Sequence, residues 1–110
     1  MSARVMARVI LDSSEITDWA SFHRACKGAF GFPDFYGANM NAWIDCLTYL
    51  REDDGMSRFV LEPAEQLVIE VVKSESLPRE ILQELTECSA AVNRRYVEAG
   101  DEAPLRLVLQ

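Results

Sequence analysis

Apolar residues along the chain switch between the period of a strand and the period of a helix, and the switches predict its elements. Ala3 to Leu11 sets Val5, Val9, Ile10 and Leu11 among two arginines and predicts a strand. Asp12, Ser13 and Ser14 supply capping oxygens, and a helix is predicted over about 16–29. Its apolar stripe is Trp19, Phe22, Cys26 and Ala29 or Phe30, and Gly28, Gly31 and Pro33 break it. Phe32 to Ala38 is a loop carrying Pro33, Gly37 and two aromatics, Phe35 and Tyr36. Asn39 is a good N-cap for a second helix over about 40–51. Phe59 to Leu61 forms a short strand or a turn before Pro63. Leu67 to Val72 is β-branched and nearly continuous, as in a central buried strand. Ser76 and Pro78 open a long helix at about 79, with Pro at its first position. Ile81, Leu85, Cys88, Val92 and Tyr96 are its core stripe, and Gly100 closes it. Leu105 to Leu109 is a last strand. This alternation predicts an α/β domain with a small, largely parallel sheet.

The second helix is the most informative piece. At about 100° per residue, Met40, Trp43, Ile44, Leu47 and Leu50 fall within an arc of about 120°. Asn41, Asp45, Thr48 and Glu52 fall within a separate arc of about 60°. One face is therefore buried, and the other shows a narrow polar ridge whose only charge before Glu52 is Asp45.

Composition sets the frame for that ridge. The chain has 110 residues, 49% apolar and 26% charged, enough to bury a core as a single domain, residues 1–110. Apolar runs stop at three residues, so neither a membrane span nor a signal peptide is expected, and the cytoplasm is the default location. Of the net charge of −7, residues 28–70 hold eight acids and two bases, net −6. Such a segment repels phosphate backbones and anionic membranes. It either steers a cationic partner or serves solubility.

Candidate chemistry is sparse. Three cysteines, Cys26, Cys46 and Cys88, lack the pairing of a disulfide framework and the spacing of a zinc site, and are read as buried thiols. His23, the only histidine, is read as a helix-surface residue. Glu52, Asp53 and Asp54 are read as solvated carboxylates rather than metal ligands. With no catalytic motif and no cofactor fingerprint, no enzymatic function, metal or cofactor is expected. What remains is a display surface: the Phe35-Tyr36-Gly37 loop leading into the Asn41, Asp45, Thr48 ridge. An aromatic anchor beside one rigid carboxylate suits a protein interface, although Phe35 and Tyr36 would equally serve as plugs of the core. Tyr36 and Tyr49 are open between core and surface.

Phe32-Pro33-Asp34-Phe35-Tyr36-Gly37-Ala38-Asn39-Met40-Asn41-Ala42-Trp43-Ile44-Asp45-Cys46-Leu47-Thr48 resembles the binding segment of the barstar family, intracellular inhibitors of a secreted ribonuclease, barnase. The resemblance is strong over about residues 31–50, and weaker elsewhere. It implies a three-stranded parallel sheet packed with helices, and the plugging of a cationic ribonuclease active site by a monomeric inhibitor. Asp45 would take the place of a substrate phosphate. Gly37 and Asn39 would add backbone and polar contacts, Phe35 an aromatic contact, and Thr48 a rim contact. Asn41 stands where the family has a second aspartate, and Ile44 where it has a ridge tryptophan. An acidic residue of the last helix falls near Arg94 or Arg95, and residues 51–66 are longer than the family's turn. These departures leave open a second reading, a barstar-fold interaction module that regulates a partner other than a ribonuclease.

Overall fold

Three parallel strands in the order β1-β2-β3 carry the fold. The structure is a computed structural model and describes residues 6–110. β1 is Met6–Asp12, β2 Gln66–Val72 and β3 Leu105–Leu109. Residues 3–5 of the predicted first strand lie outside the described residues. Ile69 is in register with Val9 and Leu107, and Leu67 with Ala7 and Leu105. Side chains alternate between faces along a strand, so this register stacks the apolar positions of all three strands on one face. Val9, Leu11, Leu67, Ile69, Val71 and Leu105 are buried there. On the opposite face Arg8 pairs with Glu70 across β1 and β2, and Ile10 is exposed.

Parallel strands need long crossovers, and helices supply them. Two, α1 (Trp19–Phe30) and α2 (Met40–Leu47), lie between β1 and β2, and α3 (Arg79–Glu98) lies between β2 and β3. The predicted order and the parallel α/β sheet are those of the structure. Phe59 to Leu61 forms no strand. Phe59 and Leu61 are buried from a loop, with the Leu61 amide donating to the Leu50 carbonyl at 2.6 Å.

Two helix boundaries differ from the sequence reading. Asp12 does not start α1; its carboxylate accepts from the Ser14 amide and hydroxyl and closes a short 3-10 turn over Ser13–Glu15. The cap of α1 is Asp18, which accepts from the Ser21 amide at 2.9 Å while Ser21 Oγ accepts from the Asp18 amide at 3.0 Å. At its other end Gly31 takes φ +70°, and a Cβ there would sit 2.8 Å from Arg58 Cβ. The second boundary, the end of α2, belongs to the site.

Candidate functional site

The loop between α1 and α2 presents one aromatic and half-buries the other. The Tyr36 amide donates to the Pro33 carbonyl at 2.9 Å, which folds the segment back on itself. The Tyr36 ring then packs on Phe32 with centroids 4.7 Å apart, and its hydroxyl shares a 2.6 Å hydrogen bond with His23 Nδ1. Phe35 points away and is 76% exposed. His23 is therefore not a surface residue. It is 6% exposed, set among Trp19, Phe22 and Tyr36, and it anchors the loop from below.

Asn39 converts the loop into a helix. Its Oδ1 accepts from the Ala42 amide at 2.8 Å, and its Nδ2 donates to the Gly37 carbonyl at 3.3 Å. From that cap α2 places its residues by rotation alone. Trp43 and Leu47 are fully buried, Trp43 edge-on to Phe30. Ile44 is half-buried against the core, while Asn41 and Asp45 are exposed and Thr48 half-exposed. Gly37 and Asn39 are exposed at the start of the same segment. Phe35, Gly37, Asn39, Asn41, Ile44, Asp45 and Thr48 thus all reach solvent to some degree, along one continuous stretch of chain. Tyr49, beyond the ridge, is also on the surface.

The helix ends at Leu47, four residues before the predicted end. Thr48 Oγ1 donates back to the Ile44 carbonyl at 2.7 Å. Tyr96 of α3 then takes over: its hydroxyl accepts from the Leu50 amide at 2.9 Å and donates to the Thr48 carbonyl at 2.5 Å. This tie seats the end of α2 on α3. It also brings Arg95, next to Tyr96, onto the ridge. Arg95 Nη1 lies 3.5 Å from Asp45 Oδ1 and donates to Thr48 Oγ1 at 3.2 Å. Both charged side chains stay more than half exposed. A cleft of about 270 Å³ opens beside them, lined by Thr48, Arg51, Glu52, Arg95, Tyr96, Ala99 and Asp101. Arg51 has its guanidinium engaged with the carbonyls of Glu62, Glu65 and Glu102, which pins the long loop after α2.

The buried thiols have no part in this surface. Burial pushes Cys26 up to about 12 and raises Cys46 and Cys88, so all three are protonated at neutral pH rather than nucleophilic. Burial likewise lowers His23 below the ordinary imidazole value and keeps it neutral.

The family model described as Barstar (barnase inhibitor) matches residues 6–110. The chain belongs to the barstar family. Among curated proteins it is similar to one of Bacillus subtilis (strain 168), "Putative ribonuclease inhibitor YrdF", at 37% identity over 43 residues. That match covers 39% of this chain and spans about half, 47%, of the relative's length. Barstar family members are inhibitors rather than enzymes.

Against the barstar pattern, the structure sorts the departures. Trp43 sits in the core, while Ile44 beside it is half-buried. Of the two arginines on α3, Arg95 is the one that meets the ridge. The sequence reading missed His23 and Tyr96 as supports of the loop and of α2. For His23 a signal existed: seven residues before Phe30, it projects only about 20° from it on the helix.

Proposed function

We propose that this barstar-type protein inhibits a cationic, secreted ribonuclease of the barnase kind by placing the Asp45 carboxylate where a substrate phosphate binds. The protein acts in the cytoplasm as a monomeric, one-domain inhibitor. The observation that carries the reading is Asp45 itself, an exposed carboxylate on a helix fixed at both ends, by Asn39 and by Tyr96. Rigidity matters because a pre-ordered side chain loses little entropy on binding. Phe35 supplies an aromatic anchor, and Gly37 and Asn39 offer backbone and polar contacts beside it. Asn41, Ile44 and Thr48 line the rim of the contact. The acidic surplus of residues 28–70 draws the cationic partner in before contact.

Steady-state kinetics of barnase on RNA test this. The inhibitor is expected to raise KM with kcat unchanged, because it occupies the phosphate site. A fall in kcat at constant KM would place its binding elsewhere and contradict the reading. The neutral Asn41 and the cation beside Asp45 favour a second reading, a barstar-fold module for a partner other than a ribonuclease. Capture of such a partner, with RNA hydrolysis by barnase unaffected, would favour that one.

A further inference from the structure

The ridge carries a cation where an acid-only surface would suit a cationic site best. Arg95 is not a bystander on α3, since its guanidinium bridges Asp45 and Thr48, two residues of the proposed contact. The pair is exposed, and exposed pairs add little to stability. Arg95 is placed by Tyr96, whose hydroxyl is tied to the Leu50 amide and the Thr48 carbonyl, so the arginine cannot leave the ridge by a simple shift of α3. Any partner that seats a cation on Asp45 brings that cation beside this guanidinium. The partner also covers the guanidinium. A covered guanidinium without an acceptor carries the cost of an unpaired buried charge. Next to it, the cleft wall contributes Glu52 and Asp101, so the surface alternates in sign over a few residues.

We propose that Arg95 is the specificity-determining residue of this face. It selects a partner whose cation for Asp45 is flanked by a carboxylate for Arg95, and it disfavours a partner whose site is cationic throughout. Specificity of this kind works by penalising the wrong partner rather than by improving the right one. The inference rests on the proposed role of Asp45, and the two are separable by experiment.

Affinities of the wild-type protein, Arg95→Ala, Arg95→Glu and Asp45→Ala in the Arg95→Glu background are measured for barnase, used as the cationic probe. Circular dichroism first establishes that each variant keeps the native fold. Arg95→Ala is expected to tighten binding about fivefold or more, and Arg95→Glu further, with faster association at low salt. Asp45→Ala in the Arg95→Glu background is expected to reverse most of that gain. Affinities unchanged or weaker in both Arg95 variants, or no binding by any of them, would overturn the role of Arg95. A gain in the Arg95 variants that survives Asp45→Ala would instead leave Arg95 as a selector of charge and remove Asp45 as the contact it guards.

Discussion

Phe35 and Tyr36 are neighbours of one chemical class with opposite placements. Tyr36 has a polar end that meets His23 at 2.6 Å and a ring tilted against Phe32, so both halves find partners and the side chain is half-buried. Phe35 has no such partner and faces water. The pairing is illegible in the sequence, because the two members stand thirteen positions apart and are joined only by the fold of the loop. The burial of His23 has a measurable consequence. Its folded-state pKa lies below the unfolded value of 6.5, so on acidification the unfolded chain binds a proton first. Stability contributed by neutral His23 is complete above that value and is lost as pH falls through the folded pKa. Stability against urea is expected to fall as the pH drops below 6.5, and the His23→Gln variant to show a flatter profile. An unchanged slope in the variant would show that His23 is solvated. Asp12 and Asp18, whose pKa values are held low by bonds from Ser14 and Ser21, act only at still lower pH.

Among the elements, α2 shows how far local signals reach. Its start was legible, since Asn39 caps it through the Ala42 amide three residues on. Its end was not. The apolar period continues through Leu50, but Thr48 and Tyr96 stop the helix at Leu47, and Tyr96 lies on another helix. The start of α1 was misplaced for a different reason: Asp12, Ser13 and Ser14 were read as its capping residues, whereas Asp18 is the cap, with Ser21 completing a reciprocal pair. Removing the Tyr96 hydroxyl tests the tie at the end of α2. Tyr96→Phe leaves the Leu50 amide and the Thr48 carbonyl without that partner and is expected to cost about 1–3 kcal/mol in chemical denaturation. It should also weaken partner binding by loosening Asp45. A loss below about 0.5 kcal/mol with binding unchanged would mean that water replaces the hydroxyl at no cost to the site.

At the scale of the whole molecule, the alternation of strands and helices made the parallel sheet legible, because parallel neighbours require crossovers of this length. The segment from Phe32 to Thr48 carried the family resemblance, and the family match over residues 6–110 extends it to all the described residues. The exposure of Asn41 and Asp45 on α2 was legible from helical rotation. The arginine that meets Asp45 was not, since its position depends on how α2 and α3 pack. On the proposed function, net charge gains a direction: the −6 of residues 28–70 would draw a cation in, and Asp45 would make the contact. The most direct test is the binding of Asp45→Ala to barnase beside the wild-type protein, by isothermal titration. The account predicts a loss of about 2–5 kcal/mol, a range that the barnase–barstar pair itself helped to set. Binding retained within about 0.5 kcal/mol would contradict it.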